Sequence, residues 1–415
     1  MPNKKILLIC WDFPPNQGIG GRRWAKFAKY ISKKGYEIHV IKSQPTPFNK
    51  ISSWFKDVNK SNIHLHEINM FWVCKWLNDY NSKFSFIKTR LAKIAIKTFF
   101  KGTIYDKAIG VEKQFLKLAQ DIILKHKIKN VIVTGAPFNL IYYTALLKQK
   151  HPNVNIIADY RDPWLTAMNY GMQNLTPQQK SEEQRKQNYV FETVNFITTP
   201  NQFLVEEVKQ SYTGNNKIVA EFNVLQHAFD QDDIYVSFEK QENKSDTIKL
   251  VYGGSLYIGT EPYLDLLSNS ISEFKIKFPN KKLEIIIYTE DLIQEKIFKM
   301  HSDVVSFFKP VGDEIFKKIE QCDFILIFLS EHNKDFKTTK FYEFLPYKKP
   351  YLYFGPAGYV SHCIVDDNIG FVVNASDDFN RILGDESWSK KCNGFKEIDK
   401  YSLNTITDTL IDKFI

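Results

Sequence analysis

Five short stretches combine glycines, hydroxyls and isolated charges in patterns that suit an anionic ligand: WDFPPNQGIGGRRW (11–24), TGAPFNL (134–140), ADYRDPW (158–164), VYGGSLYIG (251–259) and DFKTTKFYEFLP (335–346). In the first, Pro14-Pro15 stiffens a loop and Gly18, Gly20 and Gly21 let backbone approach a ligand at the start of a helix, where amides accept an anion. The bland alternative is a tight turn that packs helix on strand. In the third, Asp159, Arg161 and Asp162 crowd three charges onto a strand end where Pro163 turns the chain, either as a cleft group or as a buried ion pair ordering the turn. In the fourth, Gly253, Gly254 and Ser255 bring amides and a hydroxyl to a strand end; in the fifth, Thr338, Thr339 and Lys340 supply hydroxyls, amides and a cation, with Lys337 as a further charge. Together these are the requirements for holding a diphosphate, against the alternative of a capped surface helix with Glu343 merely solvated.

These loops need strands behind them. Apolar runs at 5–10, 36–42, 130–134, 154–159 and 194–199, then at 248–255, 283–289, 303–308, 323–329, 350–354 and 370–374, alternate with amphipathic stretches and predict α/β layers around largely parallel sheets. The 415 residues suit two to three domains. Two consecutive doubly wound, Rossmann-like units fit: residues 1–229, a polar linker at 230–247, residues 248–395, and a terminal helix within 396–415. In such sheets ligands sit beyond the carboxyl ends of the strands, where the five stretches fall. The glycines lie too far from the first strand for a dinucleotide fingerprint, and no GxxxxGK[ST] phosphate loop is present.

The same stretches resemble family-four-like glycosyltransferases of the GT-B fold, in a bacterial surface-polysaccharide branch. FPP, Gly20-Gly21 and KKGYEIHV match the family's opening strand, PP, GG and KxGHEV. TGAPFNL and ADYRDPW match SGPPxS and ADFRDPW, VYGGSLYIG matches YAGSLYxG, and TTKFYEFL matches TKLxEYL. Asp335 and Glu343 carry the acid–seven residues–acid signature, with Asp in place of the usual Glu. VLQHAFD stands where the family has VIPNGxD, so His227 replaces an Asn, and KKPYLYFGPAG stands where it has GKPVLA. The resemblance implies two Rossmann-like domains facing a cleft, with the C-terminal helix crossing back to the first. It places Gly20, Gly21, Pro137 and His227 on the cleft or acceptor side, and Arg161, Asp162 and Asp335 as catalytic or orienting groups. Gly253, Gly254, Ser255, Thr338, Thr339 and Lys340 would meet the donor diphosphate, and Glu343 the ribose. Two departures stand out. Arg161 occupies a position often held by a sugar-contacting His, and Ser255 stands where the family's diphosphate Arg would be, with Thr260 or Glu261 near its Lys.

The implied reaction moves a sugar from a nucleotide-diphosphate sugar to a lipid-linked or growing surface glycan, retaining and metal-independent, with no cofactor beyond the donor substrate. A nucleotide-sugar 2-epimerase of the same fold, or a non-catalytic nucleotide-sugar-binding scaffold, are the rivals. Charge adds a location. Residues 1–110 hold 20 Lys+Arg against 6 Asp+Glu, while the rest hold 36 against 41, so an anionic partner is expected for the first part only. Residues 83–101 carry six basic residues and no acid; on a helix Lys93, Lys97 and Lys101 form one stripe, near Lys88 and Arg90, with Ile87, Leu91, Ile94 and Phe99 largely on the other side. That composition fits a segment lying on an anionic bilayer, against an ordinary helix with a solvated basic face; no nucleic-acid fold accompanies the charge. Five scattered cysteines without a CxxC pair, and neither a membrane span nor a signal peptide, point to a cytoplasmic protein peripheral to the inner face of the membrane, with no metal site.

Overall fold

Runs of buried aliphatic residues become the inner strands of two parallel sheets in a computed structural model that describes residues 4–45, 51–77, 85–100, 106–167, 170–234, 247–385 and 387–415. The first sheet is built from β1 (Lys5–Ile9), β2 (Glu37–Ser43), β3 (Ile63–Ile68), β4 (Asn130–Gly135), β5 (Asn155–Tyr160), β6 (Phe196–Thr199) and β7 (Glu221–Val224), in the order β3-β2-β1-β4-β5-β6-β7. The second holds β8 (Thr247–Gly253), β9 (Lys282–Tyr288), β10 (Val305–Phe308), β11 (Phe324–Phe328), β12 (Tyr351–Phe354) and β13 (Gly370–Val372), in the order β10-β9-β8-β11-β12-β13. Every pairing is parallel. Strand order reverses between β1 and β4 in one sheet and between β8 and β11 in the other, so each sheet has a crevice at its carboxyl edge there.

All eleven expected strands form. The two that sequence periodicity missed, β3 and β7, are the outermost strands of the first sheet. IHLHEI carries imidazoles at alternate positions, and EFNV is four residues long with only Asn223 buried, so neither shows the continuous apolar run of a doubly covered strand. Inner strands behave differently. In YLYF of β12, Tyr351 and Tyr353 enter one apolar cluster while Leu352 and Phe354 enter another, because successive side chains point to opposite faces. The Tyr351 hydroxyl donates to the Phe341 carbonyl (2.6 Å) and that of Tyr353 to the Pro356 carbonyl (2.8 Å), so both polar tips are satisfied.

The chain divides into two compact units, Met1–Gln226 with Ile406–Ile415, and His227–Thr405. Most of the expected linker, from 235 onward, lies outside the described residues, and Gln231–Asp233 forms one 3-10 turn. The terminal helix is Leu403–Phe414 and starts later than expected: Ser402 Oγ accepts the Thr405 amide (3.2 Å), and the preceding Ile398–Tyr401 is a 3-10 turn. Its end belongs to the first unit, where Lys34 pairs with Asp408 and the Phe414 ring meets Phe196.

The basic stretch forms the helix Ser85–Phe99. Ala92 and Ile96 are buried with Val73, Cys74 and Ile109. Phe86, Ile87, Leu91, Ile94 and Phe99 stay exposed, between 51% and 78%, as do Arg90, Lys93 and Lys97. Ile87, Leu91 and Ile94 follow i, i+4, i+7 spacing, and Arg90, Lys93 and Lys97 follow i, i+3, i+7, so an apolar and a basic stripe run side by side. Lys88 is half-buried; Lys101 lies outside the described residues. Among the described residues no helix is long and apolar enough to cross a membrane.

Candidate functional site

In the first unit the loops after β1, β4 and β5 converge on the Arg161 guanidinium. Its Nε donates to the Gly135 carbonyl (2.8 Å) and its Nη2 to the Ala136 carbonyl (3.2 Å). It passes so close to the start of the helix Ile19–Lys33 that a Cβ at Gly20 would stand 2.6 Å from Nη1. Among the described residues no carboxylate lies within ion-pair distance of it, so a half-buried cation is fixed by neutral carbonyls and left able to receive an anion or a sugar oxygen. Gly21 does something else: a Cβ there would lie 2.0 Å from the Asp12 carbonyl oxygen, so this glycine serves helix-on-loop packing. Asp162 is half-buried and accepts the Tyr170 hydroxyl (3.2 Å); burial and that neighbouring carboxylate push the Tyr170 phenol up to about 12. Pro137 is buried at the start of the helix Phe138–Leu146, and half-buried Ala136 is the more open member of its loop.

The buried ion pair expected as an alternative at ADYRDPW exists, but it belongs to Asp159. Its carboxylate is fully buried and accepts from Arg23 Nε and Nη2 (both 3.3 Å), Trp24 Nε1 (2.7 Å), Thr134 Oγ1 (3.2 Å) and Thr198 Oγ1 (3.0 Å). Arg23 also donates to the carbonyls of Leu225 and Gln226, after β7. A second buried network supports the two loops from behind. Asp106 Oδ2 accepts the Asn139 amide (2.9 Å), Lys186 bridges Asn139 Oδ1 (2.8 Å) and Glu183 (3.0 Å), and Glu183 accepts Trp164 Nε1 (2.7 Å). Burial pushes the Asp106 carboxyl up, partly offset by the Asn139 and Ala108 amides that it accepts. Sequence reasoning singled out none of Arg23, Asp106, Glu183 or Lys186, since buried polar partners carry no local pattern.

In the second unit the loops after β8 and β11 flank the switch point. Gly253 ends β8 against Ile315, exposed Ser255 follows, and the loop is pinned by the Tyr252 hydroxyl on the Ser255 carbonyl (2.8 Å). The Gly254 amide, expected to meet a diphosphate, is instead committed to the Tyr288 carbonyl (3.1 Å), because the chain continues the ladder to β9 by one more bond. Glu261 caps its own helix, accepting the Gly259 amide (2.8 Å), and backbone amides hold its carboxyl below the usual range. This loop, residues 254–260, carries no Lys or Arg.

The loop after β11 and the helix it enters carry Lys337 and Lys340. Thr338 caps the helix Thr339–Phe344, accepting the Phe341 amide (3.3 Å). Lys340 lies 3.0 Å from Glu343 and over the Phe316 and Phe344 rings, so the two residues assigned to diphosphate and ribose pair with each other. Lys337 is 6% exposed inside an aromatic cage, 5.1 Å from the Phe341 ring, 5.8 Å from Tyr342, and 5.0 Å from both Tyr359 and Tyr401. Asp335 accepts the Tyr359 amide (2.7 Å) at the start of the helix Tyr359–Asp366, joining this loop to FGPAG. The His227 ring lies 6.1 Å from that of Tyr342 in the helix Thr339–Phe344, tilted by 56°.

Several solved structures align with this architecture over nearly the whole chain. Sucrose-phosphate synthase from Thermosynechococcus elongatus aligns at a TM-score of 0.57 and 10% identity, over 98% of this chain and 97% of its own. WaaG, a glycosyltransferase involved in lipopolysaccharide biosynthesis, aligns at 0.57 and 13% identity over 99% of both chains. The chain has the GT-B fold. A GT-B chain of another activity, the UDP-GlcNAc 2-epimerase from Methanocaldococcus jannaschii, aligns at 0.51 and 12% identity over 98% of both chains. No protein-family model matches this sequence. No curated protein matches it either.

Within each GT-B unit the expected residues gather at the switch point: Gly20, Gly21, Pro137, Arg161 and Asp162 in the first, and Gly253, Gly254, Ser255, Asp335, Thr338, Thr339, Lys340 and Glu343 in the second. Chemically, the first presents one fixed guanidinium, with the Asp162 carboxylate next to it in sequence but bonded to the Tyr170 hydroxyl. The second presents two lysines over aromatic rings next to hydroxyls at a helix start.

Proposed function

We propose that this chain is a glycosyltransferase that moves a sugar from a nucleotide-diphosphate sugar to a lipid-linked or growing cell-surface glycan. The observation that carries the reading is the Lys337–Thr338–Thr339–Lys340 segment with Glu343 at the switch point of the second unit, in a chain whose fold is GT-B. In the reaction the bond from the anomeric carbon to the diphosphate oxygen breaks, the diphosphate keeps the electron pair, the acceptor oxygen bonds to the carbon, and its proton is released. No electrons pass to a carrier, so no redox cofactor is required. Lys340 and Lys337 would stabilise the leaving diphosphate, with the Thr338 and Thr339 hydroxyls, and Glu343 would take the ribose hydroxyls once Lys340 turns to phosphate. Arg161, held on the Gly135 and Ala136 carbonyls, would orient the transferred group or acceptor, with Asp162 beside it. The assignment to the family-four-like, retaining, metal-independent class rests on the motif resemblance.

The side-by-side apolar and basic stripes of Ser85–Phe99 support a peripheral position on an anionic membrane, which would bring a lipid-linked acceptor to the first unit. Flotation with vesicles containing anionic lipid checks this. Binding that is unchanged when Arg90, Lys93 and Lys97 are neutralised would remove the membrane from the reading. For the site, a panel of UDP-, GDP- and other nucleotide sugars is screened by thermal shift, and transfer is then measured in Lys340→Ala and Glu343→Ala. Near-normal turnover in both, with the fold intact, would refute the donor site. The epimerase reading is favoured only by the shared fold; donor converted to its epimer without acceptor would establish it instead.

A further inference from the structure

Four of the nine histidines cluster at the edge of the first sheet, far along the strands from the loops described above, and three of them approach one carboxylate. Alternation puts Glu37 and His39 on one face of β2 and His64 and His66 on one face of β3, and the parallel register sets His39 beside His64. The fourth, His126, is the last residue of the helix Glu112–His126. Around the single oxygen Glu37 Oε1 stand His39 Nε2 at 3.0 Å, His64 Nε2 at 3.7 Å and His126 Nδ1 at 3.9 Å. One donor atom each from Glu37, His39 and His64 lies within 4.8 Å of the others. His39 is 2% exposed, and its ring centroid lies 4.9, 5.3 and 3.9 Å from those of His64, His66 and His126.

We infer that this cluster is a binding site for one divalent transition-metal ion of the zinc type, with Glu37 Oε1, His39 Nε2 and His64 Nε2 as ligands and His126 Nδ1 as the fourth. Zinc bonds of about 2.0–2.1 Å in a tetrahedron set neighbouring donor atoms about 3.3 Å apart. The distances from Glu37 Oε1 to His39 Nε2 (3.0 Å) and His64 Nε2 (3.7 Å) bracket that value, and His126, outside the close trio of Glu37, His39 and His64, has to turn inward to complete the set. Imidazoles with one carboxylate select zinc, nickel or copper over magnesium or calcium, which take oxygen donors. The outer groups fit as well. His39 Nδ1 lies 3.0 Å from His66 Nε2, so an Nδ1–H donated to His66 leaves the Nε2 lone pair facing the ion. Lys5 Nζ holds the other carboxylate oxygen, Oε2, at 3.0 Å and leaves Oε1 turned to the histidines. Without the ion, the neutral His39 ring can carry its one proton on Nε2 toward Glu37; with the ion it takes the other tautomer, with that proton on Nδ1 toward His66. The ion would tie the edge strand β3 and its neighbour β2 to the end of a helix from which the sequence separates them widely, and the site stands independently of the glycosyltransferase reading.

The test uses untagged full-length protein stripped with a chelator. Calorimetric titration with Zn²⁺ is expected to show one saturable equivalent, Co²⁺ to give the visible absorption of a tetrahedral site, and Zn²⁺ but not Mg²⁺ or Ca²⁺ to raise the unfolding temperature. His64→Ala and Glu37→Gln, at positions exposed enough to leave the fold intact, should each weaken Zn²⁺ binding by about 10-fold or more. No saturable equivalent in the wild type, or equal affinity in the wild type and both variants, overturns the site. Transfer activity is not part of the readout.

Discussion

Gly20→Ala isolates what the Arg161 guanidinium does, because the three atoms nearest the added methyl all belong to that side chain. The new carbon would stand 2.6 Å from Nη1, 2.9 Å from Nη2 and 3.1 Å from Cζ. Ordinary contact needs about 3.5–4.0 Å, so the guanidinium must retreat by about 1 Å. Its hydrogen bonds to the Gly135 and Ala136 carbonyls, at 2.8 and 3.2 Å, would then stretch or break. A charged hydrogen bond contributes about 1.5–3 kcal/mol where it is made to the reacting group, which converts to about 10- to 150-fold in kcat/KM. Stability should barely change, since the displaced group is the end of a flexible chain and alanine is favoured over glycine in a helix by about 1 kcal/mol. Gly21→Ala is the control. Its methyl would meet the Asp12 backbone oxygen at 2.0 Å, which cannot retreat, and the variant is expected to lose several-fold in soluble yield and unfold early. The assay is a double-mutant cycle on donor turnover, using the nucleotide sugar found in the thermal-shift panel: Gly20→Ala and Arg161→Ala, singly and together. If room for Arg161 is the whole reason for Gly20, the alanine costs nothing further in the Arg161→Ala background. Equal losses in both backgrounds, or full activity in Gly20→Ala, would refute the reasoning.

Other outcomes follow from single environments. Lys337→Met, which keeps the volume inside the ring cage but removes its charge, should weaken donor binding by about 10-fold or more by calorimetry while leaving the unfolding midpoint close to the wild type. Arg23→Met leaves Asp159 charged in a fully buried site and should lower stability by about 3–5 kcal/mol in denaturant titration, whereas Arg161→Met should not. Burial pushes the Cys10 and Cys322 thiols up to about 12 and those of Cys74 and Cys392 up to about 11, so alkylation of the native protein at pH 8 should label half-buried Cys363 first, read by peptide mass.

The sequence by itself determined the α/β class, eleven strands and the loops that meet each switch point. Those features are local: an apolar run such as KILLI or FILIF is buried on both faces, and a loop after a parallel strand falls at the carboxyl edge whatever packs beside it. The two edge strands of the first sheet escaped, because IHLHEI and EFNV lack that run. Partnerships were decided only by the tertiary structure. ADYRDPW announces three charges, yet which of them is buried depends on Arg23, brought from the helix after β1, so Asp159 became the structural acid and Arg161 the open cation. The Lys337 cage draws rings from three separate segments, and the histidine cluster draws its donors from two strands and a helix, which no spacing rule in one segment encodes. Periodicity follows from the geometry of one chain segment. Which side chains meet follows from the order in which the strands pair, and that order is fixed by the packing of the whole unit.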